Sequence, residues 1–219
     1  MKRLQAFATA LLLAAPASLL AQDGPPPVMK GDMSGTIAWV NANKGELTDY
    51  NDWHSQAGFS LGGGKYWTDH HVTRIEVGAT TTGEAYSPVP LVVANQQTVY
   101  VPVHTRFSAR RVSVMQLYQF RRNEWAHPYV GAGIDAVWDR VETQADPVYV
   151  FDPVTRQQRL IQPRTDANQR TSLSCRGVLT GGVKAYMARK AFAVTELRVS
   201  IGSRRTEDVQ WRFGLGVDF

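Results

Sequence analysis

The last nine residues, Trp211 to Phe219, read W-R-F-G-L-G-V-D-F. Trp211, Phe213, Leu215, Val217 and Phe219 share one parity, and Arg212, Gly214, Gly216 and Asp218 the other. Alternate side chains of a β-strand point to opposite faces, so this segment has one wholly apolar face and one polar or small face. Such a row of large apolar side chains has no place on a soluble sheet. It suits a strand whose outer face meets lipid.

The other end of the chain carries an export pattern. Lys2 and Arg3 precede an apolar run from Ala6 to Leu20, interrupted by Pro16 and followed by small residues. That run is too short for a spanning helix and reads as a signal peptide over residues 1–21, cut after Ala21. A Pro-rich linker, 22–33, follows. No Cys comes directly after the apolar run, so a lipid anchor is not expected. Without Lys2 and Arg3 the chain has 22 basic and 19 acidic residues, net +3. This is too mild to point to nucleic acid. Cys175 is the only cysteine, so no internal disulfide staples the fold. No later apolar stretch is long enough for a membrane helix. If the chain enters a membrane, a closed barrel is the remaining solution, because lipid offers no partner to an unpaired backbone group.

From residue 34 onward, eight segments of about 9–14 residues have the length of tilted crossings: 34–41, 54–65, 71–82, 106–120, 128–140, 171–186, 191–202 and 211–219. In the second, Ala57, Phe59 and Leu61 alternate with Gln56, Gly58 and Ser60; in the third, Ile75 and Val77 alternate with Arg74 and Glu76. The first is ambiguous, since Ile37 and Trp39 compete with Ala38 and Val40. In the fourth, Val112, Val114 and Tyr118 point out and Arg111, Ser113 and Gln119 in, which turns Gln116 toward lipid. The prediction is an all-β fold, an eight-stranded antiparallel up-and-down transmembrane β-barrel over residues 34–219. Short turns alternate with longer polar connections. Within the connection 141–170, a β-hairpin is expected, and the Val- and Tyr-rich parts of 83–105 can extend their flanking strands. Short turns at one end and long loops at the other is the outer-membrane pattern, with both termini on the periplasmic side. Aromatics gather near the strand ends as two interfacial belts: Tyr66, Trp67, Tyr118, Phe120, Trp125, Tyr186, Phe192 and Phe219 at one end, Trp53, Trp138 and Trp211 at the other.

Three stretches carry a family likeness: the closing W-x-F-x-L-x-V-x-F, the strand Pro128-Tyr129-Val130-Gly131-Ala132-Gly133-Ile134, and Leu117-Tyr118-Gln119-Phe120 before a short turn. With the export signal, they resemble the small eight-stranded outer-membrane β-barrels of Gram-negative bacteria, the OmpA/OmpX/OmpW-like group. The resemblance implies that Phe213, Leu215, Val217 and Phe219 form the signal read by the barrel-assembly machinery. It also implies outer-membrane lipids and lipopolysaccharide as surroundings. OmpA itself carries a periplasmic peptidoglycan-binding domain, which is not expected here.

The inward parity collects Arg74, Arg111, Arg176, Lys184, Arg198 and Arg212 against Glu76, Asp135, Asp139, Glu196 and Asp218. An eight-stranded barrel has an interior that side chains just fill, and a charge held there needs a partner. Counting back from the turns predicts an Arg111–Asp135–Arg176 bridge, with Glu196 and Arg198 joining Arg212 or Lys184. The expected role is a structural or surface-interaction barrel plugged by these charges, with loops 83–105 and 141–170 as the place for an extracellular partner. The competing readings are a narrow porin-like channel for small or apolar solutes, a lipid-modifying enzyme, and a soluble lipocalin-like binder with its apolar residues inside. No catalytic set stands out: His54 and Ser55 are adjacent and diverge, and His104 and Ser108 lack a third member. The His70-His71 pair lacks metal-ligand spacing, so neither metal nor cofactor is expected. Cys175, on the lipid parity, is a small apolar filler.

Overall fold

The computed structural model describes residues 30–43, 53–93, 97–120, 125–152, 156–165, 168–202 and 206–219. The signal peptide and most of the linker lie outside the described residues. Eleven strands follow in order: β1 (Gly31–Asn43), β2 (Trp53–Tyr66), β3 (His71–Thr80), β4 (Gly83–Val93), β5 (Gln97–Gln119), β6 (Ala126–Ala145), β7 (Val148–Asp152), β8 (Gln157–Gln162), β9 (Asn168–Tyr186), β10 (Ala191–Ile201) and β11 (Thr206–Asp218). Eight of them close into a ring, β1-β2-β3-β5-β6-β9-β10-β11, every neighbour antiparallel.

The closing strand behaves as its alternation requires. β11 pairs with β1 from Asp32↔Asp218 to Ala42↔Asp208, and with β10 on its other side. The Lys30 amide donates to the Phe219 carbonyl at 2.8 Å, and the Phe219 amide to the Gly31 carbonyl at 2.9 Å, so the last residue is locked into the seam. β1 therefore begins at Gly31, inside the segment expected to be linker. The same register settles the first strand's parity. Ile37 lies between Phe213 and Phe59, and Trp39 between Trp211 and Ala57, so Ile37 and Trp39 join the outward set.

Large apolar residues cover the outside of the ring. Ile37, Phe59, Leu61, Ile134, Leu173 and Leu215 are all more than half exposed, whereas Asp135, Lys184 and Arg198 inside are fully buried. This arrangement excludes the lipocalin-like alternative, which needs the reverse. Gln116 does face outward, and it is not left unpaired. The Thr73 hydroxyl on β3 donates to its Oε1 at 2.7 Å, and the Trp67 indole N–H donates to Thr73 Oγ1 at 2.7 Å.

The ring is taller on one side. Beyond Arg110 on β5 and Gly177 on β9, the ring partners β3 and β10 have ended. β5, β6 and β9 continue nonetheless, pairing up to Val103↔Ala145 and Thr143↔Asn168. β4 folds back along β5, making a four-stranded sheet that stands off the ring. β5 thus starts nine residues before the predicted segment, because backbone pairing continues past the point where lipid imposes alternation on the sequence. β4 pairs with β5 alone at this height, and it carries Pro88 and Pro90. Proline has no N–H to donate and is tolerated on such an edge. β7 and β8 form the expected hairpin within 141–170.

Candidate functional site

Inward parity on eight strands brings the charged residues to one axis. They form a single alternating chain, Lys184–Asp32–Arg74–Glu196–Arg212–Glu76–Arg198–Asp135–Arg111–Asp208–Arg176–Asp139. Six cations alternate with six anions, so each internal member is flanked by opposite charge. This arrangement offsets the desolvation of charge inside a barrel too narrow for bulk water.

The chain has three levels. Near the short turns, Lys184 bonds Asp32 and donates to the Tyr66 hydroxyl at 2.7 Å, while Tyr66 donates to Asp32 Oδ2 at 3.1 Å. The Tyr186 hydroxyl donates to Asp218. An apolar cluster of Val72, Met115, Leu117, Val178, Phe192 and Val194 packs around this level. Gly216 makes room for it, since a Cβ there would overlap the Phe192 ring. In the middle, Arg212 reaches Glu196 at 2.6 Å and Glu76 at 2.7 Å, and Arg198 reaches Glu76 at 2.9 Å, Ser113 at 2.6 Å and Asp135. The Tyr129 hydroxyl caps Glu196 at 2.6 Å. At the far end, Arg111 and Arg176 share Asp208 at 3.5 and 3.6 Å, and Asp208 also accepts from Ser200 at 2.9 Å and Gln210 at 2.6 Å. Arg176 is further bonded to Asp139. Val40, Ala42, Phe107, Ala109 and Val137 are buried at this end, and the His54 ring lies 5.5 Å from Phe107. A void among the lumen side chains, beside Ser60, Glu76 and Arg111, measures about 10 Å³, room for about one water.

The predicted bridge is half present. Arg111 lies 3.8 Å from Asp135, but Arg176 turns away to Asp139 and Asp208, although Asp135 and Arg176 are register partners. Arg198 reaches Asp135 from across the lumen and occupies it. Glu196 pairs with Arg212, while Arg198 goes to neither Arg212 nor Lys184 but to Glu76 and Asp135. Sequence reasoning missed Asp32 and Asp208, which it placed outside the strands. Their even spacing from Ser34 and from Arg212 puts them on the inward parity once the strands are extended by two or three residues.

Tyr186 is a correction to the predicted belt. It is buried, on the lumen face, with its hydroxyl on Asp218. Tyr66 and Phe192 turn inward with it, because each shares parity with a lumen charge or glycine on its own strand. Trp67, Tyr118 and Phe120 are exposed outward beside the short turns, whereas Trp138 and Trp211, expected at outer strand ends, are exposed outward within β6 and β11, because both strands run on beyond them. Phe213, Leu215, Val217 and Phe219 form one exposed outward row.

The second candidate region is the standing sheet. Arg106 meets Glu84 at 2.9 Å, and His104 meets Asp146 at 3.1 Å. A polar cavity of about 200 Å³ lies among Glu84, His104, Glu142, Asp146 and Arg164. Ser108 sits four residues from His104 along β5, too far to complete a nucleophile–base pair. His70 Nδ1 donates to the Gln119 carbonyl, 2.8 Å away, and its ring stacks on Tyr118. Among the described residues, no group of three or more His, Cys, Asp or Glu side chains is placed to hold a metal.

A family model described as outer membrane protein beta-barrel domain matches residues 7–219. The chain belongs to that family. Family membership points to the outer membrane. Two solved structures share the fold. Neisserial surface protein A is 12% identical, with a TM-score of 0.52, over 86% of this chain and 97% of that one. The attachment invasion locus protein Ail of Yersinia pestis is 9% identical, with a TM-score of 0.51, over 87% of this chain and 99% of that one. No curated protein sequence matches the chain.

Proposed function

We propose that this barrel is a sealed, non-catalytic outer-membrane scaffold that presents the standing sheet and the β7–β8 hairpin to a partner outside the cell. The observation that carries the reading is the alternating twelve-charge chain. It runs along the lumen with two apolar levels packed around its ends, so an ion entering would have to break pairs that stabilise each other. Support for a surface role comes from the sheet itself. Tyr86 and Tyr100 are well exposed there, as are Tyr149, Phe151 and Leu160 on the separate β7–β8 hairpin. Aromatic and aliphatic side chains in water are the usual anchors of protein contacts. The outward row ending in Phe219 is the segment that assembly machinery would read.

Single-channel recording of the refolded protein in planar bilayers tests the sealed lumen. The expected trace is flat. Reproducible steps that survive removal of contaminating porins would favour the channel reading. Shortening the β4–β5 hairpin to a tight turn at Glu84 and Arg106 should leave the folded gel mobility intact and abolish surface binding.

A further inference from the structure

The outward face of the ring carries very little charge. Among the described residues of the eight ring strands, only Arg106, Arg110 and Arg140 are Lys or Arg of outward parity at the far end. All three are exposed and lie on the adjacent strands β5 and β6. Arg110 is the register partner of Trp138, Arg140 is the partner of Ser108, and Arg106 is the partner of Glu142. Arg110, Arg140 and Arg106 therefore step outward as successive diagonal neighbours, about 7–8 Å apart at the backbone. The first step is level with a Trp of the outer belt.

Their partners are unevenly shared. Arg106 is paired with Glu84 at 2.9 Å. Arg140 donates to Gln169 at 2.9 Å and has Glu142 only at 3.9 Å, on its outer side. Arg110 has no ion pair among the described residues. The register partners of Arg140 are Ser108 on β5, on the side of Arg110, and Thr171 on β9, and both offer hydroxyls and no carboxylate. Two guanidinium groups flanked by hydroxyl donors repel each other unless an anion lies between them, and a planar fork of donors matches phosphate. Immediately above is the polar cavity of about 200 Å³, lined by Arg106, Arg164 and His104 with Glu84, Glu142 and Asp146, where Arg106 is paired with Glu84 and His104 with Asp146. That lining suits a neutral, hydroxyl-rich group more than a second strong charge.

We propose that Arg110 and Arg140, with this cavity, bind the phosphorylated saccharide headgroup of an outer-leaflet glycolipid. The phosphate lies between the two arginines, and the attached sugar enters the cavity. The source is lipid, because the site opens sideways from the barrel wall at the row of Trp138, where outer-leaflet headgroups are the abundant anions. The inference rests on the outer-membrane placement and on the standing sheet facing outside.

The test uses the full folded protein in detergent and measures retention of lipopolysaccharide, of the same glycolipid with its phosphates removed, and displacement by inorganic phosphate. The R110Q/R140Q variant is compared with an R189Q/K190Q control in the exposed short turn. Each cationic side chain near an anionic surface contributes a few-fold, so the double variant should retain the phosphorylated glycolipid about 30-fold less tightly. The control and the unheated gel mobility should be unchanged, and wild-type protein should hold the dephosphorylated form as weakly as the variant does. Equal retention by wild type and R110Q/R140Q, equal loss in the control, or equal binding of the dephosphorylated glycolipid overturns the proposal. Displacement by inorganic phosphate overturns the lipid assignment in favour of a free-ion site. If R110Q/R140Q does not fold, the comparison of the two glycolipids on wild-type protein decides. Absence of the protein from isolated outer membranes is the separate result that would defeat the membrane placement.

Discussion

Arg198 is the residue whose removal should cost the barrel most. It is fully buried at mid-lumen and joins Glu76, Asp135 and Ser113, which lie on β3, β6 and β5. In Arg198→Met the apolar stem is kept and the guanidinium is lost. Stranding a buried charge by deleting its partner costs about 3–5 kcal/mol. Glu76 still has Arg212 at 2.7 Å, and Asp135 still has Arg111 at 3.8 Å, which argues for the lower end. A loss of about 3 kcal/mol changes the folded-to-unfolded ratio roughly 150-fold. With a urea dependence of about 2 kcal/mol per molar, the midpoint falls by about 1.5 M. Urea titration of protein folded into phospholipid vesicles, followed by tryptophan fluorescence and unheated gel mobility, reads this directly. Adding Asp135→Asn removes the stranded charge and should restore about half of the loss, because the two sites couple. If Arg198→Met moves stability by less than about 0.5 kcal/mol, the range of an ordinary surface change, the chain of charges is not what holds the lumen. A double variant no better than the single one would equally refute the coupling.

Three other outcomes follow from particular placements. Tyr186→Phe should lose about 1.5–3 kcal/mol, the worth of a hydrogen bond to a charged group; unchanged stability would return Tyr186 to the lipid interface. Cys175, outward on β9 and exposed, should resist a membrane-impermeant maleimide in lipid nanodiscs and react with it in denaturant; rapid labelling in nanodiscs would contradict its lipid-facing position. Deleting Phe219 should lower the amount of assembled barrel in cells while the purified variant still folds in detergent, because its backbone closes only the last seam bonds; normal cellular assembly would dismiss the terminal row as a signal.

Much of this protein was legible in the chain because alternation is a local property. Trp211 to Phe219 shows its two faces without reference to any other strand, and so do the segments around Phe59, Ile75, Ile134 and Leu197. Eight such segments with short turns on one side leave an antiparallel ring as the consistent arrangement. The inward parity of Arg74, Arg111, Asp135, Glu196, Arg198 and Arg212 comes from the same counting.

Pairing was beyond that reach. Arg198 meets Asp135 and Glu76 across the lumen, and no count along the chain or to the next strand gives that distance. The seam between β1 and β11 made Asp32 and Asp208 lumen residues, and it fixed the outward side of Ile37 and Trp39. Tyr186 looks like its belt neighbours in composition, and only the closed ring shows Asp218 within reach of its hydroxyl. The sequence by itself determined which face of each strand meets lipid, since that depends on a period of two. The tertiary structure alone decided which charges hold one another, since that depends on register, closure and the width of the lumen.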